Sequence, residues 1–573
     1  MNALQVAERS AAYALQSAAP SISGEAFDLM MTAPQGVVTL RKLILSLAVQ
    51  GKLVAQSRRD EPASTLTARL DQIRRKMVAA GAIRDVKNEA APEGYRETDR
   101  LPDGWIVAPL SNLAWPQAGF AFKSSNFNDT GNGLPLIRIR DVGANAPRTF
   151  FSGEYRDEFL VQSGDWLIGM DGDFRVERWT GPKALLNQRV TRLIFFGEAI
   201  QPLYVCIALQ QALRRLQGTK AYTTVDHLSG KQIASRPIPL PPLAEQRRIV
   251  ARVEELMDLC DDLEAHGRLQ DEQHVRLVST VFDALVASAS PEELTANWQR
   301  VASYFDLLLD RPEAVDALEQ TILQLAVRGL LVPQDPTNEP ASHLLARISQ
   351  EKEQSTRGTR KRRRAYKPSL QENGPFVLPA GWVWAHFTDL GEFGRGKSKH
   401  RPRNDPRLFD PGIYPLIQTG EVSRADGFIE EIHSYYSEEG LAQSKLWPKG
   451  TLCITIAANI ADSAMLRCEA CFPDSIVGFI PSPLICDTRY FHTFMRTARQ
   501  RLIDFAPATA QKNINLEVLG NLLIPLPPVA EMHRIVARIE ELRGLCADLR
   551  KSLQQARTTQ SNVANALAAQ AIA

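Results

Sequence analysis

One stretch of this chain is written twice. Residues 239–264 read PLPPLAEQRRIVARVEELMDLCDDLE and residues 525–550 read PLPPVAEMHRIVARIEELRGLCADLR, identical at 18 of 26 positions with an offset of 286. A second pair, LAVQGKLV (47–54) followed by EPAS (61–64), returns as LAVRGLLV (325–332) followed by EPAS (339–342), an offset of 278. Self-similarity at a fixed period means that one structural plan is built repeatedly. Between these markers the sequence diverges but keeps its punctuation. LPDGW (101–105) parallels LPAGW (378–382), PLIRIRDV (135–142) parallels PLIQTGEV (415–422), and GDWLIGM (164–170) parallels GTLCITI (450–456). The framework recurs while loops and charges differ, which is how one scaffold presents two specificities.

Periodicity assigns the elements. Ile249, Val253, Leu256, Cys260 and Leu263 recur at spacings of 4, 3, 4 and 3, and Ile535, Ile539, Leu542, Cys546 and Leu549 repeat the pattern. This is a heptad seam, so both segments predict helices that need a partner helix. The prolines before them (Pro239, Pro241, Pro242; Pro525, Pro527, Pro528) cannot continue a helix from upstream and mark rigid boundaries. Residues 36–57 and 312–356 also read as helical, ending near Gly51 and Gly329 with Pro-rich turns after them. The divergent stretches hold short β-rich runs (136–139, 166–169, 190–196, 451–456) broken by Gly, Asn, Asp and Pro, as in compact mixed or mostly β domains.

Composition narrows the class. With 44% hydrophobic residues in 573, the chain can bury several cores, roughly three to four structural units. The first residues lack the basic-then-apolar order of a signal peptide, and no apolar run reaches the roughly 18 residues of a membrane span, so the cytoplasm is the expected compartment. Seven cysteines (Cys206, Cys260, Cys453, Cys468, Cys471, Cys486, Cys546) are sparse and odd in number, which predicts reduced thiols. Cys468 and Cys471, with Cys486 and His492 downstream, have irregular spacing and apolar flanks; buried thiols are expected there and no metal. The net charge of +2 divides unevenly: +3 over 1–94, +3 over 95–236, −11 over 237–356, +5 over 357–523 and +2 over 524–573. Phosphate-binding surface needs local positive charge, so two basic blocks around an acidic one fit a DNA reader whose middle faces something else.

The tandem order of variable domain, LPP-x-x-EQ-x-x-IV helix, second variable domain and second such helix resembles the specificity subunit of type I restriction-modification systems. The motif residues are Leu240, Pro241, Pro242, Glu245, Gln246, Ile249, Val250, Glu254 and Leu256. The second copy has Met532 and His533 where the family usually has Gln and Arg, expected as a variation of the helix surface. The resemblance covers nearly the whole chain from about residue 36. It implies an α+β fold: two mixed or mostly β target recognition domains joined by long antiparallel coiled-coil helices, with a pseudo-twofold internal repeat. The domains would be an N-terminal helical region (1–94), a first recognition domain (95–242), a central helical spacer (243–356), a second recognition domain (357–528), and a final helix (529–573) pairing with the central and N-terminal helices. It further implies a non-catalytic subunit that reads bipartite double-stranded DNA and docks two methyltransferase subunits, with motor-nuclease subunits joining for cleavage. S-adenosylmethionine, ATP and magnesium would belong to those partners, and no cofactor to this chain.

Three motifs tempt otherwise. GEFGRGKS (391–398) satisfies G-x-x-x-x-G-K-S, but Pro402, Pro406 and Pro411 follow where a phosphate-binding loop must open into a helix. EFGRG mimics a methyltransferase glycine motif, but no NPPY-like tetrapeptide accompanies it. MDGD (170–173) is read as a turn after a strand rather than as a pair of catalytic acids. The basic run RGTRKRRR (357–364) reads as a solvated linker able to contact phosphates without adding specificity.

Base reading favours bidentate Arg for guanine and Asn or Gln for adenine. The candidates are Lys123, Ser124, Ser125, Arg138, Arg140, Arg175, Arg178, Lys220, Tyr222, Thr223 and Thr224 in the first variable stretch. In the second they are Lys397, Lys399, Arg401, Arg403, Gln418, Thr419, Gln511, Lys512 and Asn513. A helical scaffold that merely assembles partners is the competing expectation. It explains the heptads but not two β-rich stretches whose basic loops diverge on a repeated framework.

Overall fold

The structure, a computed structural model, describes residues 24–84, 101–217, 228–356, 374–399, 402–457, 459–485, 487–505 and 514–572. The chain divides into two compact units, Met1–Gln270 with Ala556–Ala573 and Asp271–Gln555. The two long helices, a central one (Leu243–Val286) and a second one (Val529–Ile572), each give their first part to one unit and their remainder to the other.

In the first unit, Leu40, Leu43 and Leu47 line one face of the helix Gly36–Val49 at helical spacing, and Leu66 and Leu70 line one face of Ala63–Ala79. They share a core with Ile249, Val253, Leu256, Cys260 and Leu263 and with Ala564, Ala568 and Ala571. Polar contacts fix the directions. Arg41 reaches Glu264 at 3.3 Å while Arg248 reaches Asp60 at 2.6 Å, so the 36–60 segment runs antiparallel to the central helix. Thr39 donates to Asn565 at 3.4 Å and Lys52 to the Ile572 carbonyl at 2.7 Å, so it runs parallel to the second long helix. Residues 243–270 and 556–572 are therefore antiparallel to one another.

The β-rich part of this unit enters and leaves through one ladder, Ile106–Pro109 against Pro237–Leu240. Inside it, a four-stranded antiparallel sheet has the order Ala114–Ala118, Val190–Phe195, Trp166–Gly169, Val176–Arg178. A second, five-stranded sheet of short strands surrounds a core containing Leu136, Ile137, Trp179 and Leu185.

The second unit repeats the plan. Its helices Pro312–Val327 and Ala341–Thr356 precede a ladder of Val383–His386 with Leu523–Leu526. The main sheet runs Gly391–Arg395, Ile476–Pro481, Leu452–Thr455, Ser463–Leu466, Phe428–Ile429, with the last pair parallel. Gln334 contacts Glu531 at 2.8 Å and Arg550 contacts Asp316 at 2.6 Å, the antiparallel pairing again. Arg311 meets Asp271 at 2.6 Å and Arg328 caps the Val286 carbonyl at 3.1 Å, the parallel one. The expected α+β class, with β-rich domains carried on long antiparallel helices, is the class observed.

The mount joining domain to helix uses the same donors and acceptors in both units, though Gln56 and Trp105 take separate Glu245 oxygens while Gln334 and Trp382 share Oε1 of Glu531. Trp105 and Gln56 donate to the Glu245 carboxylate at 3.0 and 2.6 Å, as Trp382 and Gln334 donate to Glu531 at 3.1 and 2.8 Å. Tyr204 donates to the Pro239 carbonyl at 2.7 Å, and Tyr490 to that of Pro525 at 2.5 Å. Gly51 and Gly329 take positive φ (69° and 73°) under the indoles. A Cβ on either would lie 2.6 Å from a proline ring carbon and 2.9 Å from the tryptophan Cζ2, so only glycine fits. Burial pushes the Glu245 and Glu531 carboxyls up, against the pull of their indole and amide donors.

Several expectations need correction. Met532 is fully buried rather than on the helix surface. In the first unit Gln246 donates to the Pro241 carbonyl at 2.9 Å and accepts the Gln201 N–H at 3.1 Å, and Met532 fills that interior place with a thioether instead. Cys468 is exposed in the bend after Ser463–Leu466, whereas Cys471 is buried. The helices end next to Gly51 and Gly329 as expected, at Val49 and Val327, but the spans 36–57 and 312–356 are not helical throughout: a turn follows each glycine and fresh helices begin at Ala63 and Ala341. The run 136–139 pairs only to Ile137, because Ile139–Asp141 turns as a short 3-10 helix. The duplication also begins earlier than the marker motifs: AFDLMM (26–31) faces YFDLLL (304–309) at offset 278.

Candidate nucleic-acid interface

In the first unit, the turn Ile139–Asp141 exists because the Asp141 carboxylate accepts the Arg138 backbone N–H at 2.8 Å. That bond turns the chain and leaves Arg138 and Arg140 exposed on either side. Burial raises the Asp141 carboxyl, opposed by the Arg138 N–H and by the charges of Arg140, Arg138 and Arg148. A β-carbon at Gly143 would lie 3.9 Å from the Arg175 guanidinium, and one at Gly169 would lie 3.2 Å from Ile139, so this turn packs against the 169–177 segment. Arg175 is exposed 3.1 Å from Asp173, and Arg189 3.2 Å from Asp171. The geometry thus gathers Arg138, Arg140, Arg148, Arg175 and Arg189 on adjoining turns, each with a carboxylate close by. Arg148 and Arg189 escaped the sequence reading. Arg189 follows the Asn-Gln turn that opens the strand Val190–Phe195, a turn signal that could have drawn attention to it.

The other first-unit candidates lie elsewhere. Lys123, Ser124 and Ser125 are exposed on the separate turn Ser124–Asn126. Arg178 lines a cleft of about 650 Å³ with Trp166, Arg192 and Glu254 of the central helix. Lys220, Tyr222, Thr223 and Thr224 lie outside the described residues.

In the second unit, Gly391–Arg395 is a sheet strand, and residues 396–399 continue without a helix, so the phosphate-loop lookalike has neither of the parts that motif needs. A Cβ at Gly396 would sit 2.1 Å from the Phe472 carbonyl oxygen, which forces glycine where the loop leaves the strand. Lys397 is held by its N–H on the Phe472 carbonyl (3.1 Å) and Lys399 by its N–H on Gln443 (2.6 Å), while both side chains are exposed. Arg403 reaches Asp474 at 3.2 Å. Gln418, exposed, starts the helix Thr419–Arg424 and gives its N–H to Glu421 at 3.0 Å; Thr419 is half-buried. The Ile417 N–H bonds the Cys471 carbonyl at 2.8 Å. Lys397, Arg403 and Ile417 are therefore all fastened to 471–474. Arg401, Gln511, Lys512, Asn513, Cys486 and the 357–364 run lie outside the described residues.

Exposed guanidiniums and amides on turns fixed by backbone hydrogen bonds can donate to phosphate oxygens or base edges. His492 is buried with its Nε2 at 3.1 Å from the Ser463 carbonyl, and burial pushes it down to about 4. MDGD is a turn whose acids pair with Arg189 and Arg175. Among the described residues no group of three or more His, Cys, Asp or Glu could hold a metal, and no helix is long and apolar enough to cross a membrane.

The family described as Type I restriction modification DNA specificity domain matches residues 102–271 and again 379–556. The EcoEI specificity subunit of Escherichia coli is 30% identical, with 93% of each chain covered. The EcoAI specificity subunit of the same species is 29% identical, with 94% of each covered. A solved HsdS subunit from Thermoanaerobacter tengcongensis aligns over 82% of this chain and 97% of its own at 16% identity and a TM-score of 0.35. Two matched domains, each on the same mount, and full-length relatives place this chain in the family of type I restriction-modification specificity subunits.

Proposed function

We propose that this chain reads a bipartite double-stranded DNA target, one half-site with each β-rich domain, and directs adenine methylation and restriction carried out by partner subunits. The observation that carries the reading is the repeated mount with unlike loops. Two domains are held on their helices by the same donors and acceptors, but one presents the arginine turns around Asp141 and the other presents Lys397, Lys399, Arg403 and Gln418. Equivalent attachment with divergent polar surface is what two different half-sites require.

In this reading the chain performs no covalent step. Two methyltransferase subunits dock on its helical parts and motor-nuclease subunits join them, and S-adenosylmethionine, ATP and magnesium are held by those partners in the cytoplasm. The acidic 237–356 span suits protein partners rather than phosphates. A scaffold without DNA reading accounts for the helices, but not for family matches that cover both β-rich stretches.

Methylome sequencing tests the proposal in a host carrying this chain with its methyltransferase, against the same host lacking the chain. A two-part adenine-methylated motif that appears only with the chain supports it. Unchanged methylation leaves the scaffold.

A further inference from the structure

The repeat continues into the far ends of the long helices, and there it changes sign. At offset 286, Ala564, Ala568 and Ala571 of the second long helix correspond to Val278, Phe282 and Leu285 of the central one. The alanines lie in the core of the first unit, the bulky set in the core of the second. On the helices that contact them, size runs the other way: buried Leu43 of Gly36–Val49 has the smaller, buried Thr321 of Pro312–Val327 as its counterpart at offset 278, and burial differs too. Phe27 is 1% exposed in the unit of the alanines, whereas its counterpart at offset 278, Phe305, is 37% exposed in the unit that holds Phe282.

Charge is inverted as well. Arg41 pairs with Asp261 and Glu264 in the first unit. Its counterpart at offset 278 is Glu319, which pairs with Arg543 at 2.8 Å and Arg550 at 3.1 Å in the second. Arg543 and Arg550 stand at the places of Met257, which Arg41 touches at 3.6 Å, and of Glu264. Equivalent positions thus carry one ion-pair site with its polarity reversed.

We infer that this double inversion, of volume and of charge, is an assembly code that tells each helical segment which half of the duplicated chain it belongs to. A duplicated framework creates its own hazard, because the residues that hold one pairing would hold the exchanged pairing equally well, within one chain or between two copies. In the exchanged arrangement Arg41 faces Arg543 and Arg550, Glu319 faces Asp261 and Glu264, and Phe27 meets Phe282 where an alanine now makes room. Like charges repel and the core is overpacked, while Thr321, standing where Leu43 packs, leaves a void beside the alanines.

The test uses the full chain with a photo-crosslinking residue in place of Leu45, one turn beyond Arg41 on the same face. Captured peptides are identified by mass spectrometry. The unaltered chain is expected to capture 243–270 and 556–572. In R41E/E319R both segments carry the other half's charge, and capture of 529–555 and 271–286 is expected to rise about tenfold. Reversing all six charges (R41E/D261R/E264R/E319R/R543E/R550E) restores the original capture. A soluble R41E/E319R chain that keeps the original capture, with only a lower unfolding midpoint, overturns the inference, since the pairs are then ordinary surface ion pairs. Should R41E/E319R fail to fold, R41Q/E319Q decides: a measurable share of 529–555 capture supports the code, and none overturns it.

Discussion

Trp105 donates its indole N–H to Glu245 at 3.0 Å across 140 residues of chain, in a place where the carboxylate is almost wholly buried. Removing that acceptor strands the buried indole, whereas the exposed Gln56 amide keeps its bond to the Gly51 carbonyl at 3.2 Å. Glu245→Ala is expected to lower stability by roughly 2–4 kcal/mol. Glu245→Gln, which keeps one acceptor oxygen, falls between the two in denaturant titrations. Equal losses in both variants would assign the effect to packing instead.

The Gln246 and Met532 places can be exchanged on paper but not in the fold. Met532→Gln puts an amide into an apolar site and is expected to cost about 1–3 kcal/mol. Gln246→Met leaves the Gln201 N–H and the Pro241 carbonyl without their partner and costs a similar amount, about 1–2 kcal/mol. Thermal melts of the two variants check this; a neutral result for either removes the claim that the two units solve the same interior position differently.

Asp389 gives a pH signature. Burial pushes its carboxyl up to about 6, against the pull of Lys352 and the His386 N–H. A carboxyl raised in the folded state favours folding when protonated, so its contribution is present below pH about 4 and lost as pH rises through about 6. Asp389→Asn, neutral throughout, is expected to gain on the unaltered chain between those values and to level off above pH 7, by no more than about 3 kcal/mol. A stability difference independent of pH would overturn the assignment.

DNA binding by the assembled complex should separate the two surfaces. Arg140→Ala, Arg148→Ala or Arg189→Ala is expected to alter or weaken reading of one half of the methylated motif only, and Lys397→Ala with Lys399→Ala the other half only. Where the lost contact is to a phosphate, the slope of log affinity against log salt falls by about 1 per residue. A substitution in one unit that changes both half-sites equally contradicts the division of labour.

The duplicated plan was legible because backbone framework needs particular residues at particular places: the Pro-Pro boundary, the left-handed Gly51 and Gly329, the heptad face of Ile249 to Leu263. Met532 was misplaced because a one-position change in a helix motif does not say whether the site is inside. The helices Pro202–Gln217 and Arg489–Phe505 went unassigned, since they sit between β-rich runs that dominate the local pattern. The arginine turns were half found. Arg138, Arg140 and Arg175 lie in visible motifs, but Arg148 and Arg189 join them only through the folding of distant turns.

The mount has a consequence for how such a chain can change. The Trp105 indole N–H and both Glu245 carboxylate oxygens find their partners within the joint, and the glycine beneath it admits no side chain. The joint therefore takes no part in telling one DNA from another and makes no demand on the loops it carries. New specificity can be acquired by rewriting turns alone, with the coupling left untouched, much as a tool head is changed on a standard fitting.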